Sequence, residues 1–267
     1  MVASPRVTLL PSLANLGFRM DAIADTLFIV PPVSHVPSGL FVMGSDRALD
    51  SVAYLDESPM HQVGTAEFWL GTYPVTVAEY ALAMRDGVMQ FPAEFKGVSW
   101  NRQLSMPDHP VTSVSFVEAL SYCVWLGQQC GVPCRLPTEA EWEKAARGTD
   151  GRIYPWGDSW DPYLANTPDG GPGGTSAIGS YPEAASPYGL QDMVGNVWEW
   201  CNSEYRPYPY DPSDGREEFG LARTRVLRGS AWYCVPTNAR TACRGLGHFG
   251  IYRGGGFRVL FSADPGR

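Results

Sequence analysis

The chain has 267 residues, 44% of them hydrophobic and 18% charged, with a net charge of −8. That composition is globular and long enough for a substantial core, which excludes a disordered chain. The acidic balance argues against a broad nucleic-acid or anionic-membrane footprint, and no apolar run of about 18 residues offers a membrane span.

The first residues, MVASPRVTLLPSLANLGFRMD, lack a basic start followed by an unbroken apolar stretch, so no cleaved secretory signal is expected. A location in the cytoplasm, or display by a non-standard or phage route, is the expectation, and the sequence names neither. Residues 1–38 read as an extension, Pro-rich around IVPPVSHVPSG, and the main domain is expected over 39–267. Gly39–Ser45, GLFVMGS, reads as a strand ending in a turn, and a second strand falls near Glu67–Thr72.

Three helices follow, each announced by the same device. Thr76 with Glu79, Ser115 with Glu118 and Thr138 with Glu141 are capping boxes, and Gly87, Gly131 and Gly148 close the helices. In each box the hydroxyl takes an orphan backbone N–H while the glutamate reaches back. Phe116, Ala119, Leu120, Cys123 and Leu126 fall at helical spacing, which gives the second helix a core-facing side.

After Gly148 the pattern changes to turns, with DSWDPYLANTPDGGPGGTSAIGSYPEAASPYG giving about thirty residues of turn chemistry. The six cysteines form no paired CxxC framework, and free buried thiols are expected. The class is α+β, with few helices, short strands and much ordered loop. The stretch RVLRGSAWYCVPTNARTACRGLGHFGIYRGGGFRV, Arg225–Val259, stands apart: its ends read as strands and its middle has no period.

GLFVMGS, DESPMHQV, YPVTVAEY, HPVTSVSFVEALSYCVWL, CRLPTEAEWEKAARG, YPWGD, GLQDMVGNVWEWC, RVLRGSAW and GFRV occur in this order. The assembly resembles the formylglycine-generating enzyme (sulfatase-modifying factor) family from Gly39 to Val259. The resemblance implies a C-type lectin-like fold of that type, with short antiparallel strands.

It also implies where chemistry would lie. The family oxidises a substrate cysteine with a copper ion held by two cysteines five residues apart. Cys234 falls on the first place, Ala239 on the second, and Cys243 comes nine positions after Cys234. A soft Cu(I) site needs two thiolates, so the expectation is a protein that is not an enzyme. An oxidase acting on protein cysteine is the alternative. The family's iron-dependent members need a histidine-bearing helix, and the four histidines here are scattered with no HxxxH. The resemblance places a calcium loop at the side chains of Asp192 and Glu199 and the carbonyls of Gly195 and Val197, hard oxygen donors of the kind Ca2+ takes. Equally, Glu199 reads as a turn cap, with Trp198 and Trp200 in the core. A second calcium site of the family would draw on Asn166 and Asp169. No cofactor beyond calcium is expected.

The same fold serves variable proteins of diversity-generating retroelements, in which template adenines are mutated and asparagine codons become NNC or NNT. That set yields no Lys, Glu, Gln, Met or Trp, and none occurs from Tyr233 to Gly256. The expected function is therefore recognition of a protein or glycan through a diversified region at about 225–259. Its variable residues would be Tyr233, Cys234, Val235, Thr237, Asn238, Cys243, Gly245, Leu246, Gly247, His248, Gly250, Ile251, Tyr252, Gly254 and Gly255. Residues replaceable at random should project into solvent. Trp232 should be core, with Pro236, Arg240, Arg244 and Arg253 as scaffold. A non-diversified structural or display module is the remaining alternative.

Overall fold

The computed structural model describes residues 8–87, 89–220, 223–248 and 254–266. Its helices are α1 (Pro11–Asn15), α2 (Val77–Arg85), α3 (Trp100–Leu104), α4 (Phe116–Cys130) and α5 (Glu139–Arg147). The three expected from their caps are α2, α4 and α5. In each, the threonine or serine hydroxyl accepts from the backbone of the glutamate three residues on, and the reciprocal bond is present.

The strands are short. They are β1 (Arg19–Ile23), β2 (Thr26–Val30), β3 (Val33–Val36), β4 (Gly39–Met43), β5 (His61–Thr65), β6 (Phe68–Gly71), β7 (Cys134–Arg135), β8 (Trp198–Glu204), β9 (Arg225–Arg228), β10 (Gly245–Gly247), β11 (Gly255–Gly256) and β12 (Leu260–Phe261). They form hairpins β1-β2 and β4-β5 and two four-stranded sheets, ordered β3-β6-β12-β7 and β10-β9-β8-β11. Pairing is antiparallel except for β11 beside β8. The fold is thus α+β and lectin-like, as the resemblance implies.

The domain boundary needs correcting. Residues 26–36 are not an extension: β3 pairs with β6 from Val33↔Gly71 to Val36↔Phe68, and Phe28 and Val30 lie in the main core. Burying TLFIV against α2 and α4 is what ties this segment in. Likewise GFRV is no continuous strand. It forms the end of β11 and a buried link to β12, along which Phe257 and Val259 carbonyls accept from Val75 and Gly71 at 2.9 and 2.8 Å.

One core packs around α2 and α4, where Tyr80, Tyr122 and Phe257 meet ring to ring. A second surrounds Trp142 of α5 and takes in Leu70, Val226 and Leu260. All six cysteines are free; Cys123, Cys201 and Cys243 are buried. Among the described residues no strand intervenes between α5 and β8, where Tyr154, Trp156 and Trp160 stack together instead.

The cap of α2 is fully buried. Glu79 Oε2 accepts from Thr76 N and Oγ1, both at 2.7 Å, while Oε1 has no partner. Burial pushes the Glu79 carboxyl up to about 7, against the two bonds from Thr76. Between its ordinary value near 4.5 and about 7, the folded chain holds a proton that the unfolded chain releases. Stability from this group therefore falls as pH rises through that window. Urea unfolding should show that slope in the native chain and a flatter one in Glu79→Gln; identical slopes would refute it.

Candidate ligand-binding face

The C-terminal segment is held from beneath by arginines. β9 supplies Arg228, whose Nη1 donates to the carbonyls of Ala242 and Cys243 at 2.7 Å each, and whose Nη2 reaches Glu143 of α5. Arg244 donates from Nε and Nη2 to Glu139 of α5 at 2.6 and 3.0 Å. Arg240 grips Glu57 at 2.5 and 2.6 Å and Asp50 at 2.9 Å. Burial alone would push the Glu139 carboxyl up, but Arg244 and Arg228 hold it below its ordinary value. Helix α5 faces the segment with two carboxylates because Glu139 and Glu143 lie four residues apart, on one side of a helix.

Between these anchors the expected variable residues divide. Val235 is 58% and Leu246 48% exposed, His248 is exposed, and Tyr233, Cys234, Thr237, Asn238 and Gly245 are half-buried. Trp198 joins the two runs: its Nε1 donates to Cys234 Sγ at 3.3 Å, and a Cβ on Gly245 would stand 3.1 Å from its ring.

The others do not project. Cys243 is 0% exposed and part of the main core, and burial pushes its thiol up to about 12. A Cβ on Gly247 would stand 2.1 Å from the Trp200 ring. Gly254 has φ +91° and would meet the Tyr233 hydroxyl at 2.7 Å, and Gly255 is buried against Trp198 in β11. Cys243, Gly247 and Gly254 are therefore structural positions, because no space is open to a larger side chain there or because the thiol fills the core, and Gly255 is a buried strand residue. Gly250, Ile251, Tyr252 and Arg253 lie outside the described residues. Trp232 is half-buried at a cavity wall, not in the core.

The calcium loop does not fit the ion. Both Glu199 oxygens are taken, by Arg258 at 2.6 and 2.7 Å and by the Trp142 indole at 2.7 Å. Asp192 accepts from Gly179 N at 2.8 Å and from the Asn196 amide at 3.4 Å. The Arg258 guanidinium already provides the cation there, so the expected donor set of Asp192, Gly195, Val197 and Glu199 is not free to surround a metal. Asn166 is buried whereas Asp169 is exposed. Among the described residues, no three His, Cys, Asp or Glu side chains are placed to share an ion.

Two features were not read from the sequence. A cavity of about 510 Å³ is lined by Arg240, Ala242, Asp50, Arg152 and Trp156, from three distant parts of the chain. The second is the turn at Phe95–Val98, where Phe95 meets Tyr233 edge-on with centroids 5.3 Å apart. Its signal was Lys96-Gly97, a turn dipeptide with Gly second between two apolar residues.

The sulfatase-modifying factor enzyme 1-like domain matches residues 24–263. The chain belongs to that family. The sulfatase-modifying factor enzyme 1-like relatives include a hercynine oxygenase of Mycolicibacterium smegmatis, 33% identical over 89% of this chain and 62% of that protein. They also include an inactive C-alpha-formylglycine-generating enzyme 2 of Mus musculus, 32% identical over 76% of this chain and 74% of that protein. The chain spans 62%, 53% and 55% of the length of three hercynine oxygenases it matches. Among solved structures, PvdO from Pseudomonas aeruginosa is similar with a TM-score of 0.75 and 28% identity, over 87% of this chain and 95% of that one. Treponema denticola variable protein 1 shares the fold, with a TM-score of 0.70 at 18% identity over 92% and 99%. Members of this family thus include enzymes and an inactive form, and membership alone assigns no activity.

Within the sulfatase-modifying factor enzyme 1-like fold of this chain, the second copper position is the methyl group of Ala239. It is 0% exposed and packed with Ala165, Val194, Trp156 and Trp160. No thiolate is available there to pair with Cys234.

Removing Arg244 would take away the bidentate partner of buried Glu139 and leave it only Arg228 at 4.0 Å and the Tyr208 hydroxyl, at a cost of about 3–5 kcal/mol. Chemical denaturation of Arg244→Met should show that loss; a loss under about 1 kcal/mol would mean the pair is dispensable. Leu246→Ser should stay within about 0.5 kcal/mol of the native chain, whereas Gly247→Val should cost about 1–3 kcal/mol by overpacking. Equal effects at 246 and 247 would contradict the division of the face.

Proposed function

We propose that this is a ligand-binding protein whose C-terminal surface is diversified by retroelement mutagenesis, with variation at that surface setting its partner. The observation that carries the reading is compositional. Lys, Glu, Gln, Met and Trp supply about one residue in seven of the whole chain, yet none falls between Tyr233 and Gly256. Mutated asparagine codons of the NNC or NNT form produce that gap directly.

The geometry supports a refined version of it. Tyr233, Cys234, Val235, Thr237, Asn238, Leu246 and His248 reach solvent wholly or in part on either side of the anchors Arg240 and Arg244. A rigid frame presenting interchangeable side chains is the arrangement a paratope uses. At 243, 247 and 254 the frame itself restricts what a mutated codon can deliver. The partner is an unidentified protein or glycan.

Catalysis is the second reading, favoured by relatives that are named as enzymes. It centres on Cys234, the half-buried thiol under Trp198. Stoichiometric Cu(I) binding that disappears in Cys234→Ser would favour it over diversification.

Genomic DNA decides the first reading. A near-copy of the codons for residues 225–259 should lie beside a reverse-transcriptase gene and differ only where the copy carries adenine. Differences at other bases, or no copy, would overturn it.

A further inference from the structure

Trp232 walls a second cavity, of about 350 Å³, together with Lys96, Arg102, Met106, Gly173 and Gly174. Among the described residues no carboxylate lines it. In a chain of net charge −8 this is an electropositive pocket within an acidic whole. Arg135, Arg228, Arg240, Arg244 and Arg258 each pair with a glutamate. Among the described residues, no ion pair joins Lys96 or Arg102 to an acid.

The lysine is set in place. Lys96 and Gly97 carry φ of +49° and +74° across the bridge from Phe95 to Val98. A left-handed lysine costs about 1–2 kcal/mol, and such strain is characteristic of functional positions. Its Nζ lies 4.7 Å from the Tyr233 ring centroid, 5.2 Å from Trp232 and 5.8 Å from Phe95. Ring faces attract the ammonium and restrict where it goes, but they are no substitute for oxygen acceptors to its three N–H groups. Arg102 adds a planar fork of donors on the same cavity.

We propose that this cavity binds an acidic sugar. Its carboxylate or sulfate would lie on Lys96 and Arg102, and the apolar face of its ring against Trp232. Gly173 and Gly174 present a wall without side chains, which leaves room for the ring. The volume falls at the small end of the range for small-molecule sites. Two cations select the charge, and the indole selects a ring over a bare anion. The site does not rest on diversification: Phe95, Lys96 and Arg102 precede the C-terminal segment by more than 120 positions in sequence, and Trp cannot arise from an NNC or NNT codon.

Calorimetric titration of the full chain with methyl β-D-glucuronide tests it. One saturable site is expected, with methyl β-D-glucoside at least about tenfold weaker and with affinity falling as NaCl is raised. Lys96→Met and Arg102→Gln should each weaken glucuronide binding about tenfold without lowering the melting temperature. Trp232→Leu should weaken the glucuronide but leave the weak binding of inorganic sulfate unchanged. No saturable binding below roughly 20 mM, equal affinity for the glucoside, or unaltered affinity in both charge variants would overturn the assignment. Sulfate binding as tightly as the glucuronide would also overturn it. None of these outcomes bears on the codon argument, which is tested in DNA.

Discussion

A guanidinium cannot be buried as an apolar group can. It keeps its charge, so the interior must supply carboxylates and carbonyls in the right geometry. Seven arginines are buried among the described residues: Arg147, Arg216, Arg225, Arg228, Arg240, Arg244 and Arg258. Arg228, Arg240, Arg244 and Arg258 meet acids from elsewhere: Glu57 and Asp50 from the loop before β5, Glu139 and Glu143 from α5, and Glu199 from β8. The position of the C-terminal segment follows from that pairing. Apolar contacts slide at little cost, whereas a bidentate pair fixes distance and angle together.

That fixity explains how a segment without periodic pattern can have a definite shape. Arg240 and Arg244 stand four residues apart and are bound on opposite partners, so the backbone between them is determined at both ends. Arg228 adds a third restraint by holding the carbonyls of Ala242 and Cys243. Side chains that point away from these restraints contribute little to the fold. Val235 and Leu246 are large apolar groups left in solvent, which suits contact with another molecule better than packing.

The parts of the fold legible in the sequence were those governed by local rules. Capping boxes fixed α2, α4 and α5 because each involves residues three apart, and ordered motifs placed the whole in its family. Tertiary decisions were hidden. TLFIV looked detachable because the two core helices it packs on, α2 and α4, lie more than forty residues away. Cys243 looked replaceable because nothing near it in sequence announces burial, whereas the packing around it comes from other elements. Glu199 looked like a calcium ligand, and only its distance from Arg258 in space reveals the occupant of its carboxylate. Lys96 carried no pattern at all. Its position depends on a turn and on rings supplied more than 130 positions later.

The span between the partners of these ion pairs has a consequence for biosynthesis. Arg240 meets Glu57 across 183 positions, and Arg244 meets Glu139 across 105. While the ribosome is still making the last segment, Glu57 and Glu139 lack their arginines and Glu143 has only Arg147, so the interior around them cannot close. A chain cut short before Arg240, or shifted out of frame within the segment, therefore carries stranded carboxylates into what should be its interior. The arginines thus tie closure of the interior to the presence of residues 228–258, whatever exposed side chains lie among them.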